Sequence, residues 1–140
     1  MSDVSWAELV RRVHVRANYF CEYCQTSQRI TGQAMHVDHI DPHGGDVLEN
    51  LCLSCASCNM SKAQATTPLD PFTHEMVLFF NPRTQLWHEH FEWISNGTRL
   101  QGLSPTGRAT IVRFRMNRSR LIEARTAWVL SGWHPPENVS

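Results

Sequence analysis

The sequence predicts an α+β protein in two layers, and three observations predict it. A β-branched, alternating segment, "MHVDHI", and a later apolar one, "NLCLS", read as the strands of a short hairpin. Two Cys-x2-Cys pairs stand on either side of that hairpin. Helical patterning opens the chain, and a further run of strand and helix patterns closes it.

The opening "SDVSWAELVRRVHVRANYF" has Ser5 and Glu8 in capping-box spacing and Trp6, Leu9, Val10 and Val13 on one helical face, which predicts a helix from about residue 5 to 17. "FCEYC" reads as a knuckle and "QTSQRITGQA" as a turn-rich connector ending near Gly32. "DPHGGDVLE" loops between the two hairpin strands, and "SCNMSKAQA" resumes helical character. Thr66, Thr67, Pro68 and Pro71 then read as a linker, dividing the chain into residues 1–66 and a C-terminal extension, 67–140, packed on the same domain. In that extension "MVLFF", turn "NPRTQ" and "LWHEHFEWI" form an expected strand pair, and Asn96-Gly97 a tight turn into "TRLQGL". Ser104 and Pro105 begin a helix to about Met116, and Asn117 or Arg118 another to about Ser131.

With 41% hydrophobic and 19% charged residues, the 140-residue chain has globular composition and is long enough for one core without disulfides. Its net charge is zero, which argues against coating nucleic acid by bulk charge. The zero conceals an asymmetry: residues 1–70 are near −3 and residues 71–140 near +3, with six arginines from Arg108 to Arg125 opposed only by Glu123. The first twenty residues leave no apolar run of secretory length, and no stretch is long enough to span a bilayer. The expectation is a cytoplasmic protein with no membrane partner and no nucleotide cofactor.

In a reducing compartment the cysteines are read as metal chemistry before disulfides. Cys21-x2-Cys24 and Cys55-x2-Cys58 match the closed, four-thiolate site of a structural Zn²⁺, which would staple the two ends of the intervening hairpin. Cys52, on the apolar strand, reads as a small buried residue.

The order Cys-x2-Cys, "HVDHIDPHGG", "ENLCLSCASCNMSK" resembles the HNH endonuclease family over about residues 21–62. The resemblance implies a ββα-metal (His-Me finger) core, a hairpin and a helix around one metal ion, framed by the four-cysteine zinc site. Carried over position by position, it implies that Asp38 and Asn59 ligate a catalytic metal, that His39 is the general base, and that Asn50 holds the base and its loop. The implied reaction is hydrolysis of DNA phosphodiester bonds to 5′-phosphate and 3′-hydroxyl ends. A non-catalytic zinc-binding DNA-recognition module is the alternative.

The chemistry of these residues agrees with that reading independently. Phosphodiester hydrolysis needs an activated water, and a neutral imidazole, with an ordinary pKa of ~6.5, can take its proton near pH 7. Charge stabilisation on phosphate and leaving oxygen can come from a cation. Asp38 and the Asn59 amide oxygen are hard donors, which favours Mg²⁺ or Mn²⁺ over nickel or zinc at the catalytic site. Strict alternation places Asp38 and His39 on opposite faces, so both serve one phosphate only if the strand ends or twists there. Pro42 and Gly44-Gly45 are suited to such an ending, after which Asn50 can tie the loop down by hydrogen bonds to its backbone. His36 shares a face with Asp38, which makes it a candidate for phosphate contact or a structural histidine. His43 reads as exposed loop.

The segments "LFFNPRTQLWHEHFEW" and "GLSPTGRATIVRFRMNR" resemble a tail in a group of small bacterial HNH proteins. Arg108, Arg113, Arg115, Arg118 and Arg120 are candidates for phosphate contact or for a solvated helix face. Lys62, on the turn after Asn59, is a further substrate-binding candidate. Trp87, Phe91, Trp93, Trp128 and Trp133 read as core, and His88 and His90 as structural residues on one strand face. A dimer is one way such a chain could cut both strands of a duplex.

Overall fold

The computed structural model describes residues 4–63 and 68–137. The expected linker at Thr66 and Thr67, the division after residue 66 and the end of "SCNMSKAQA" lie outside the described residues. Helices and short antiparallel strands mix in an α+β arrangement that divides into two compact units. One runs to Asn59 and takes in Asn81–Arg83; the other comprises Met60–Phe80 and the chain from Thr84 onward.

The first unit opens with α1 (Trp6–Arg16), started as its sequence directs by the Ser5 side chain, which accepts a hydrogen bond from the Glu8 amide at 3.1 Å. Glu8 does not complete a reciprocal capping box, because its carboxylate is drawn to Arg11 at 2.6 Å and Arg12 at 3.0 Å. Those hydrogen bonds hold the Glu8 carboxyl down at about 2. Leu9 and Val13 are buried, whereas Trp6, expected on the same apolar face, is exposed. The connector expected at 25–34 contains a single-turn helix, α2 (Gln28–Thr31). Ser27 caps its start, accepting from the Arg29 amide, and Gly32 in the left-handed conformation closes its end.

β1 (His36–His39) pairs antiparallel with β2 (Leu51–Ser54), with His36 opposite Ser54 and Asp38 opposite Cys52. Every residue of β2 is buried, whereas β1 is exposed at His36 and half-buried beyond it. This is the pattern of a two-stranded ribbon with one strand in the core. α1 packs on β2. Burial of Leu51 and Leu53 contributes about 1.5–3 kcal/mol each. The Arg16 guanidinium at the end of α1 donates to the carbonyls of Leu48 (2.9 Å) and Leu51 (2.6 Å), holding the entry to β2. Glu22 clips the first knuckle to the same strand: its amide donates to Leu53 O (2.8 Å) and its carboxylate accepts from Leu53 N (2.7 Å). That carboxylate also pairs with Arg83, whose guanidinium is pulled down to about 10 by burial and by the nearby charge of Arg16. α3 (Ala56–Ala63) follows β2 directly.

In the second unit the expected pairing of "MVLFF" with "LWHEHFEWI" does not form. Residues 77–80 run outside any ladder, and the Phe80 amide donates instead to the Thr110 hydroxyl at 3.0 Å. "WHEH" folds as a one-turn helix, α4 (Trp87–His90), so His88 and His90 stand on a helix and not on a strand face. The hairpin is β3 (Phe91–Ile94) with β4 (Arg99–Gly102), joined through Asn96 and Gly97, both at positive φ, as the Asn-Gly pair demands. α5 (Pro105–Arg113) is capped by Ser104, whose hydroxyl accepts from the Gly107 amide (3.0 Å) and also meets His90 Nδ1 (2.6 Å). A Cβ at Gly107 would stand 2.0 Å from the His90 carbonyl oxygen, so only glycine lets α5 approach α4 this closely. α6 (Ser119–Leu130) is the last helix among the described residues. Trp87 and Phe91 are buried and Trp93 and Trp128 half-buried, but Trp133, expected in the core, is exposed. The fully buried Arg125 lies over the Trp93 ring at 5.0 Å and donates to Thr98 O at 3.1 Å.

Candidate active site and metal centre

Cys21 and Cys24 sit in the turn after α1, Cys55 at the end of β2 and Cys58 in the first turn of α3. All four are buried, and their sulfur atoms lie within 4.8 Å of one another, with Cys24 and Cys55 at 3.7 Å. Tetrahedral zinc with Zn–S bonds of ~2.3 Å requires sulfurs about 3.8 Å apart. The donor set and its spacing therefore fit a structural zinc. The thiols already behave as one group: Cys24 is pulled well below the usual thiol range by hydrogen bonds from the other three sulfurs. Burial pushes Cys21 well up, and sharing protons with its neighbours does the same to Cys58. A cation of charge +2 is what would allow four thiolates to stand this close together. Cys52, fully buried, points its sulfur at the Tyr23 hydroxyl (3.5 Å) and stands outside the cluster.

The loop between β1 and β2 is built around Asn50. Its side-chain oxygen accepts from the Asp41 amide (2.9 Å), and its amide group donates to the carbonyls of Asp41 (2.9 Å) and Gly45 (3.0 Å). Its own carbonyl receives the Ile40 amide at 2.8 Å, extending the hairpin one step past the ladder. Gly44 makes room for this: a Cβ there would lie 2.6 Å from the Asn50 amide nitrogen. Gly45, at φ +80°, turns the chain back toward β2.

β1 remains paired through His39, the last residue of the strand. Successive side chains therefore leave opposite faces of the ribbon. Asp38 lies toward Tyr23, whose phenol is held well above its usual range first by burial, then by Cys52, with a smaller contribution from the Asp38 charge. His39, on the other side, places Nε2 2.6 Å from Asp46 Oδ1, and its ring lies nearly parallel to that of Trp6, with centroids 6.0 Å apart and 10° between the planes. His36 and His43 are exposed; Asn59 is half-buried on α3, and Lys62 is half-buried one turn further along the same helix. Neither Asp46 nor Trp6 stands out in the sequence as a partner of His39. The available signals were an acidic residue directly after the Gly-Gly pair and an aromatic at the very start of α1.

Of the arginines, Arg108 is committed to Asp70, which it meets through two hydrogen bonds of 2.9 and 2.8 Å, and Arg125 is buried. Arg113, Arg115 and Arg120 are exposed.

Residues 21–64 match the HNH endonuclease family. The match covers the segment in which the resemblance was read, and it implies a nuclease or other nucleic-acid-related function. No curated protein and no solved structure matches the chain. Among the described residues no helix is long and apolar enough to cross a membrane.

Proposed function

We propose that this protein is a metal-dependent HNH endonuclease that hydrolyses DNA phosphodiester bonds to 5′-phosphate and 3′-hydroxyl ends. In this reading β1, β2 and α3 are its ββα-metal core. The observation that carries the reading is the Asn50 knot. Within the family-matched segment, three side-chain bonds to the loop backbone fix the turn that follows His39. A general base needs such a fixed position, because proton transfer depends on reach and angle before it depends on basicity.

His39 takes the proton of the attacking water, and Asn50 keeps the loop beside it in register. Asp38 and the Asn59 amide oxygen, both hard donors, suit Mg²⁺ or Mn²⁺, which keep several waters and need few protein ligands. When bound, such a cation supplies charge stabilisation for the phosphate and the departing 3′ oxygen. His36, Lys62, Arg113 and Arg115 are the side chains proposed to meet substrate. The four cysteines hold a zinc that is structural, and the cytoplasm is the proposed location, where their thiols stay reduced.

Supercoiled plasmid incubated with the protein and Mg²⁺, Mn²⁺ or EDTA tests this directly. Nicking or linearisation should require the divalent ion, and His39→Ala should slow it by about 10²–10⁴-fold. Cleavage that survives exhaustive chelation sinks the proposal. One consideration favours the non-catalytic DNA-recognition module instead: regular strand alternation would send Asp38 and His39 to opposite faces of β1. A metal-dependent nick abolished by Asp38→Ala rejects that alternative.

A further inference from the structure

We propose that Asp46 is the positioning residue for His39: it fixes the tautomer of the ring and so makes Nδ1, not Nε2, the atom that accepts the water's proton. The inference rests on the nuclease reading for its catalytic consequence, but its structural content stands by itself. An ionised carboxylate can only accept hydrogen bonds. With Asp46 Oδ1 2.6 Å from His39 Nε2, the hydrogen must sit on Nε2. A neutral imidazole carries one N–H and one lone pair, so the lone pair is left on Nδ1.

The ring is held on two sides. Asp46 holds one edge, and Trp6, 6.0 Å away and 10° from parallel, lies along one face. Asp46 is delivered to this place by the turn that Gly44, Gly45 and Asn50 create, since the Asn50 amide donates to the carbonyl of Gly45, the residue directly before Asp46. In the reaction, Nδ1 takes a proton from water, the water oxygen bonds to phosphorus, the P–O3′ bond breaks, and the 3′ oxygen leaves with a proton from solvent.

The Asp46 side chain is 63% exposed, so an ion pair here adds little to stability and its removal should leave the fold intact. Two simpler roles make different predictions. A bystander carboxylate beside bound DNA repels phosphate, so removing it would lower KM and leave kcat alone. A residue that only shapes the loop would change melting temperature and leave the His39 tautomer unmoved.

The test uses the full-length, zinc-loaded protein and two readouts. In ¹H–¹⁵N spectra recorded where the ring is neutral, with the His39 signals assigned by their loss in His39→Gln, the wild-type ring should be in the Nε2–H form. Asp46→Ala should mix the tautomers. In duplex cleavage with Mg²⁺ or Mn²⁺, Asp46→Ala and Asp46→Asn should lower kcat by about 10²-fold with KM unchanged, and Asp46→Glu should recover part of the loss. A wild-type ring in the Nδ1–H form overturns the inference, and so does wild-type kcat in Asp46→Ala. If the wild-type protein cuts no DNA, the nuclease reading fails, and the spectra alone still decide whether Asp46 sets the tautomer.

Discussion

Asn50 has most of its side chain's bonding capacity committed to backbone. Its side chain serves one amide and two carbonyls, and it is nearly buried, so truncation would strand these groups where water enters poorly. Asn50→Ala should cost about 1–3 kcal/mol in denaturant unfolding, the usual penalty for an orphaned buried polar group. Because the knot is within the chain, the loss should appear without DNA or metal present. If Asn50→Ala unfolds at the wild-type midpoint, the loop is held by something else. Asn50 was singled out by the resemblance to the HNH family, and its side chain does bond the loop backbone. Asp46 and Trp6 were not, because their approach to His39 depends on where the loop and α1 come to rest. Trp6 has the spacing of the apolar face of α1 but, as the first residue of that helix, stays exposed where Leu9 and Val13 are buried.

At the scale of elements, the cysteine pairs were the easiest part to read, since their chemistry is carried by spacing. Metal analysis of protein purified without added metal should give about one zinc per chain, and Cys55→Ser should lower the melting temperature sharply, because a zinc site assembles with the fold around it. A folded protein free of zinc would contradict both. The strand pair in the second unit was the hardest part. "MVLFF" has strand composition, but the segment has no partner ladder, and Phe80 is instead fixed by a side-chain hydroxyl on α5. β propensity measures fit to a sheet surface, and here a helix surface takes that place.

The same unit holds an ion pair that sequence could not foresee, because Asp70 and Arg108 are far apart in the chain. Arg108, the Thr73 hydroxyl and the Phe72 amide all donate to Asp70, and these bonds hold its carboxyl far below the ordinary 3.8. A carboxyl depressed by folding contributes stability above its unfolded pKa and loses it as pH falls. The wild-type protein should therefore lose stability below about pH 4 more steeply than Asp70→Asn, as read from denaturant midpoints across that range. Parallel curves for the two proteins would show that the pair does not contribute.

Over the whole molecule, the zero net charge conceals an uneven distribution that the fold sharpens. Of the six clustered arginines, Arg108 pairs with Asp70, Arg125 is buried and Arg118 is half-buried, while Arg113, Arg115 and Arg120 are exposed at the end of α5, in the segment that follows it and at the start of α6. Arginine side chains that meet phosphate displace condensed counterions, so binding weakens with salt in proportion to the contacts made. Sequence could count these charges but could not say that Arg108 meets Asp70 or that Arg125 is buried, because that depends on partners remote in the chain. If Arg113 and Arg115 touch the backbone of duplex DNA, replacing each by alanine should flatten the slope of log K against log salt by ~0.9 per contact, and should do so equally for unrelated sequences. The melting temperature should hardly change, since both side chains are exposed. An unchanged slope would make the cluster a solvated face and shift the search for phosphate contacts to His36 and Lys62. A slope that changes for one sequence only would mean that these arginines read bases, which phosphate contacts cannot do.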